Sequence, residues 1–287
     1  MSDIIIAEGI VKKYGDRIAI NGLDLRVKEG EIFGFLGPNG AGKTTTVRVI
    51  STLTDYCEGR ISIGGHDLAK NPNKVKKLMG VIQQHISLDN DLTVKENMMH
   101  HAMMHKIPKS ERVRRINELA DKAGLNEYMD SMINTLSGGW KKRTATVCSL
   151  LHEPKILFLD EPTVGLDVQA RRALWDMIRK LNDGGTTIFL TSHYIEEVEA
   201  LCNRVGIIDE GKLIALGTPA ELCNKVGSTA VEYYGTDNKT EYGYFASREE
   251  ANEFASSLTN AKTVIIRNTN LEDCFVELTG KSVGGSR

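Results

Sequence analysis

The nine residues GPNGAGKTT, Gly37–Thr45, fit the pattern GxxxxGK[ST], and their setting constrains the fold more than any other stretch of the chain. They follow the apolar run of EIFGFLG and lead into TTTVRVISTL, so the region reads as strand, tight loop and helix. Gly37, Gly40 and Gly42 let the backbone curl until successive N–H groups point at phosphate oxygens. Lys43 can reach β- and γ-phosphates, the Thr44 hydroxyl suits Mg²⁺, and the positive end of the helix favours an anion.

Three further apolar runs, in MGVIQQ, KILFLDEP and TTIFLTSH, read as buried strands of a mainly parallel sheet. Helical patterns separate them: Leu174, Met177, Ile178 and Leu181 recur at helical spacing before a stop at Gly184 and Gly185. The fold class is therefore α/β. In open α/β sheets ligands bind beyond the carboxyl ends of the strands. The residues that follow the four runs are Gly37–Thr45, Gln84, Asp160 with Glu161, and His193. A glycine-rich loop, an amide, two carboxylates and an imidazole on one edge make a site for a phosphorylated nucleotide. Asp160 can hold Mg²⁺, through water, and Glu161 can orient or deprotonate an attacking water. Adjacent acids after a strand are more often helix caps or surface residues, and it is the phosphate loop that reverses those odds. A lone histidine at a strand end is by default a satisfied structural one. Its position among the strand ends is what lets His193 address a γ-phosphate.

Composition narrows the function classes. With 36 Lys and Arg against 38 Asp and Glu the net charge is -2, and 41% of residues are apolar, so neither a disordered chain nor a broadly basic nucleic-acid binder is indicated. Cys57, Cys148, Cys202, Cys223 and Cys274 are widely spaced with no CxxC pair, which argues for a reducing cytosol rather than a disulfide framework or zinc site. MSDIIIAEGIVKKYG has only a short apolar run, and nowhere do about 18 apolar residues run together as a membrane span requires.

Together these residues resemble the ATP-binding cassette family. The likeness covers about residues 4 to 220 and follows the family's order: Tyr14, GPNGAGKTT, Gln84, LSGGW, LFLDEP, GLD at Gly165–Asp167, and His193. EPTVGLDVQARRALWDMI and the ending LEDCFVELTG are similar to nucleotide-binding subunits of ABC-2 type exporters. The resemblance implies a P-loop NTPase core at 1–225, with an N-terminal antiparallel β-subdomain and a helical subdomain at about 92–150. A small accessory α+β domain at 226–287 would follow. It implies that Tyr14 stacks on adenine and that Gly37, Pro38, Asn39, Gly40, Ala41, Gly42, Lys43, Thr44 and Thr45 bind ATP. Gln84 would touch Mg²⁺ or the lytic water, beside the metal ligands Thr44 and Asp160. Ser137, Gly138 and Gly139 would cap the γ-phosphate held by a second subunit, and Asp167 would lie across that interface. The implied assembly is a head-to-tail dimer, most simply a homodimer, seated on an integral membrane permease at the cytoplasmic face of the membrane, with no nucleic acid. The alternative is a soluble cassette ATPase acting on ribosomes or DNA.

One residue departs from the family pattern. Trp140 stands where Gln is usual, and it either stacks on the partner subunit or covers the edge of the helical subdomain. Within NMMHHAMMHKIP, His101 and His105 have metal-ligand spacing but no third ligand, and the Met residues read as core filler. The family suggests instead that the groove beside His85 to Met104 receives a permease helix. In KSERVRRINELADKAG, Arg112, Arg114 and Arg115 read as a solvated face. The nearest match to a guanine reader, Asn238–Glu241, ends in Glu and is discounted. From Val226 onward the pattern is strand, strand, helix, strand. KSVGGSR reads as a frayed end.

Overall fold

The computed structural model describes residues 2–84, 87–234, 240–258 and 263–280. His85, Asn238 and the terminal KSVGGSR, on which some of the expectations above fall, lie outside the described residues.

The chain begins with β1 (Asp3–Tyr14), β2 (Arg17–Lys28), β3 (Ile32–Leu36), α1 (Lys43–Ile50), β4 (Glu58–Ile63), β5 (His66–Asp67), α2 (Pro72–Lys77) and β6 (Met79–Ile82). The middle contains α3 (Val94–Met104), α4 (Lys109–Ala123), α5 (Gly138–Leu150), β7 (Ile156–Asp160), α6 (Val168–Asp183), β8 (Thr187–Ser192), α7 (Ile195–Leu201), β9 (Arg204–Asp209) and β10 (Lys212–Gly217). The last part comprises α8 (Pro219–Val226), β11 (Thr229–Tyr234), β12 (Thr240–Phe245), α9 (Arg248–Ser257), β13 (Val264–Asn268) and α10 (Leu271–Thr279).

The six-stranded central sheet has the order β10-β9-β3-β8-β7-β6. All its pairs are parallel except β10 with β9. The four apolar runs are four of its strands, and β3, β7 and β8 are buried along their whole length because both faces are covered. One face packs Phe33, Phe158 and Phe189 against Ile5, Ile20 and Leu23 of the antiparallel sheet β2-β1-β4-β5, which is the expected N-terminal β-subdomain. The other face packs Leu36, Leu157 and Leu190 against Leu174 and Ile178 of α6. A third cluster, with Val94, Met98, Ile116 and Val147, fills the interior of α3, α4 and α5, the helical subdomain. Met98 is buried there, whereas Met103 and Met104 face solvent.

The tail forms the antiparallel sheet β12-β11-β13 with α9, in the expected order of elements. Its last helix does not stay with that sheet. Leu271, Cys274 and Phe275 of α10 join the core cluster beneath the central sheet, and the Leu271 N–H donates to Glu199 Oε1 at 2.6 Å. Asp273, whose burial acts to raise its pKa but whose Arg267 and Asn270 partners together lower it, takes two hydrogen bonds from Arg267 at 2.6 and 2.8 Å. The accessory sheet is thus tied to the core around the central sheet through α10.

Candidate active site

The phosphate loop joins β3 to α1. Gly42 begins α1 at φ 109°, and a Cβ there would sit 2.5 Å from the Ala19 carbonyl oxygen, so only glycine fits. No side chain caps α1, which leaves its first N–H groups to point into the loop. Lys43 is 5% exposed, donates to the carbonyls of Gly37 at 2.7 Å and Pro38 at 3.1 Å, and lies 3.7 Å from Glu161 Oε1. Burial lowers its pKa, against the opposing pull of Glu161 and Asp160. A cleft of about 500 Å³ opens beside it, lined by Tyr14, Arg17, Asn39, Thr44, Gln84 and Glu161 among others. Tyr14 stands at its rim, 47% exposed, with Lys12 Nζ 4.9 Å above the ring.

The strand ends close the inner wall. The Thr44 hydroxyl donates to Asp160 Oδ1 at 3.2 Å. Gln84 Nε2 donates to Glu161 Oε2 at 3.3 Å, and His193 Nδ1 lies 3.2 Å from Glu161 Oε1 without the alignment of a hydrogen bond. Lys43, Thr44, Gln84, Asp160, Glu161 and His193 therefore meet at one place, as the shared sheet edge requires. Glu161 adopts φ 49°, a left-handed conformation that costs a residue with a Cβ about 1–3 kcal/mol and collects at functional sites.

Ser137, Gly138 and Gly139 are not part of this wall. Ser137 is the N-cap residue of α5 but its side chain makes no capping hydrogen bond, and Ser137 and Gly138 are exposed. A Cβ on Gly139 would fall 2.9 Å from Ala170 Cβ, so glycine lets the start of α5 lie against α6. Asp167 caps α6, accepting from Ala170 N at 2.8 Å. Trp140 turns inward: its ring is 4.2 Å from that of Tyr128, and the Arg143 guanidinium lies 4.5 Å over it. The indole therefore covers the edge of the helical subdomain.

Two residues at the site carry no motif signal. Lys142, which follows LSGGW in the basic stretch KKR, is 5% exposed and donates to the carbonyls of Gln84 at 3.0 Å and Gln83 at 3.4 Å. Burial lowers its pKa, while Asp160, Glu161 and Glu197 act to raise it. Thr191 is fully buried on β8 and donates to Asp160 Oδ1 at 2.6 Å. The KK pair could have signalled Lys142 only through its place one turn into α5, since charge alone predicts a solvated side chain.

Residues 20–164 match the family model described as ABC transporter. The linearmycin resistance ATP-binding protein LnrL of Bacillus subtilis is 42% identical over 225 residues, 78% of this chain and 72% of that protein. The Nod factor export ATP-binding protein I of Cupriavidus metallidurans is 35% identical over 301 aligned residues, 99% of both chains, the tail included. A solved ATP binding subunit of an ABC transporter superposes with a TM-score of 0.70 at 28% identity, over 77% of this chain and 92% of that one. A dimeric ATP-binding cassette in a post-hydrolysis state, bound to ADP and Pi, gives a TM-score of 0.67 at 25% identity, over 75% of this chain and 98% of that one.

Proposed function

The chain belongs to the ABC transporter family as an ATP-binding, ATP-hydrolysing subunit, and from that premise we propose that it works as one half of a two-site ATP engine for an ABC-2 type exporter. The observation that carries the proposal is that Lys43, Gln84 and Glu161 line one cleft with Asp160 and His193 directly behind them on Thr44 and Glu161, while the Ser137 end of α5 is exposed and uncapped.

In this reading the N–H groups of Gly37–Thr45 and the Lys43 ammonium bind the triphosphate, and Tyr14 stacks on the adenine. Lys43 now spends its hydrogen bonds on loop carbonyls, so phosphate oxygens would replace those acceptors. A hydroxyl and a carboxylate already converge at Thr44 and Asp160, and with the Gln84 amide they form a hard oxygen set suited to Mg²⁺. When bound, that ion neutralises charge on the β- and γ-phosphates. Glu161 takes the proton of the attacking water, Gln84 orients that water, and His193 donates to the γ-phosphate. Residues 1–225 act as the ATPase domain and 226–287 as an accessory unit.

The uncapped α5 end does not line the cleft of its own chain, and as the start of a helix it favours an anion that a second subunit would bring. Two chains packed head to tail place each Ser137 against the other's γ-phosphate, with Asp167 at the seam, so ATP closes the dimer and hydrolysis loosens it. Among the described residues no helix is long and apolar enough to cross a membrane. A separate permease supplies that path, and the chain rides on the inner face of the membrane beneath it. The docking place is the groove of about 250 Å³ lined by Gln83, Ser87, Leu88, His101 and His105, next to the exposed Met103 and Met104. The relatives named for linearmycin resistance and Nod factor export support an exporter rather than a ribosome or DNA partner.

Glu161→Gln is the direct test. It should lower turnover by roughly 10²–10⁴-fold, the usual worth of a general base, while ATP binding persists and a dimer accumulates. Light scattering that finds only monomer with ATP would remove the two-site engine, and undiminished phosphate release would remove Glu161 from its role.

A further inference from the structure

Asp160 and Glu161 are adjacent in the chain yet must point in different directions, one toward the metal position and the other toward the lytic water. Asp160 ends β7, where it is registered against Thr191 on the parallel neighbour β8. The Thr191 hydroxyl spans the gap. It donates to Asp160 Oδ1 at 2.6 Å and accepts from the Glu161 N–H at 3.1 Å, sharing that N–H with the Thr191 backbone carbonyl, also at 3.1 Å. A threonine hydroxyl has one proton and two lone pairs, so both bonds form at once without conflict. The side chain is fully buried in a central strand, and its two hydrogen bonds fix the direction of the hydroxyl.

The second donor to the same carboxylate oxygen is Thr44, at 3.2 Å, and it belongs to the phosphate loop rather than the sheet. Thr44 is also a candidate metal ligand, so its bond to Asp160 is open to exchange when the site fills. Thr191 cannot reach the cleft and has no such second duty. Its acceptor bond adds to that of its own carbonyl on the peptide where Glu161 takes φ 49°, a strained turn that the surrounding structure must hold.

The geometry points to Thr191 as the positioning residue for both carboxylates: its hydroxyl fixes the rotation of Asp160 for the metal and, beside its own backbone carbonyl, steadies the turn that aims Glu161 at water. This rests on the Mg²⁺–ATP reading of the cleft. A hydroxyl that only satisfied a buried acid would stabilise the fold and leave metal use unchanged. One that positions the carboxylates makes metal use and turnover fall together while the phosphate loop still binds nucleotide.

The test uses the full chain with Thr191→Val, which replaces the hydroxyl by a methyl at nearly equal volume, and Thr191→Ser, which keeps it. Loss of a hydrogen bond that orients a metal ligand typically costs about 10- to 100-fold in metal affinity or activity. Thr191→Val should therefore lower kcat at least about tenfold and weaken Mn²⁺ binding, read by electron paramagnetic resonance with a non-hydrolysable ATP analogue, by a similar factor. Its affinity for a fluorescent ATP analogue in EDTA should stay at the wild-type value, and Thr191→Ser should match wild type in all three. Wild-type kcat and Mn²⁺ affinity in Thr191→Val would overturn the inference, as would equal impairment of the Ser and Val variants. Should the Val variant not fold, the Ser variant decides alone: impaired Mn²⁺ binding there also overturns it. If the wild-type protein hydrolyses ATP with no divalent cation, the underlying reading fails instead, and that result is separate from any effect at Thr191.

Discussion

The two ends of the site are built in opposite ways. At the phosphate loop the polar groups are turned on one another: Lys43 on loop carbonyls and Glu161, Thr44 and Thr191 on Asp160, Gln84 on Glu161. At the start of α5 the Ser137 side chain makes no capping bond, and Ser137 and Gly138 are open to solvent. A helix of 13 residues with uncapped N–H groups presents about half a positive charge to whatever approaches it. The loop end is a site that holds its geometry in a single chain; the α5 end becomes a site only when something anionic is brought to it. Within the proposed dimer the two ends are halves of one composite site, and the contrast can be broken by damaging them separately.

The largest effects should come from Lys43→Met and Ser137→Arg. Each removes electrostatic stabilisation of the γ-phosphate in the transition state, so each should cost roughly 10²-fold or more in kcat. They should differ in binding: Lys43→Met loses ATP affinity in the single subunit, and Ser137→Arg retains it. Mixing the two inactive variants regenerates one intact composite site in half of the dimers, so activity should recover to at most roughly a quarter of wild type. A mixture no more active than its components would show that the α5 end does not complete a neighbour's site.

How much of this was legible in the sequence depends on whether a residue's job is written in its own chemistry. The phosphate loop, the DE pair and His193 could be read because glycine curvature, a lysine and acids at strand ends have few other uses together. The four core strands could be read because each carries a short, mostly apolar run bounded by polar residues or glycine, as a sheet covered on both faces requires. Thr191 and Lys142 could not. A threonine in TTIFLTSH is an ordinary strand residue until β7 is laid beside β8, and a lysine in KKR is an ordinary surface cation until α5 is packed over the Gln83–Gln84 carbonyls. The tail shows the same limit: the strand–strand–helix–strand order was visible, but the burial of Leu271, Cys274 and Phe275 in the catalytic core is a tertiary fact.

A smaller effect is expected where α5 touches α6. A methyl on Gly139 would meet Ala170 Cβ at 2.9 Å, so Gly139→Ala must push the two helix starts apart. Overpacking of this kind costs about 1–3 kcal/mol. Thermal unfolding should register it, and ATPase activity should fall severalfold because Ser137 and the first N–H groups of α5 shift with the backbone. Ala170→Gly removes the opposing methyl and should restore both readouts in the double variant. If activity falls without recovery in the double variant, Gly139 matters for contact with the neighbouring nucleotide and not for spacing against α6.

Trp140 supplies the finest cut between the two ends, because it sits in the first turn of the open end yet its contacts are those of a packed residue. The indole is engaged by the Tyr128 ring at 4.2 Å and the Arg143 guanidinium at 4.5 Å, both within its own chain. To stack on a partner it would have to give up both, and an aromatic pair and an exposed cation–π contact are worth about 0.5–1.5 and 0.5–1 kcal/mol respectively. Trp140→Gln should accordingly lower the midpoint of chemical denaturation, by an amount equivalent to about 1 kcal/mol, and change kcat and ATP-dependent dimer affinity by less than about twofold. Tyr128→Ala should produce a similar loss of stability, and the double variant should lose less than the sum, since the two rings share one contact. A dimer weakened tenfold by Trp140→Gln with unchanged subunit stability would place the indole at the interface, and the open end would then be built from one more side chain than Ser137 and its glycines.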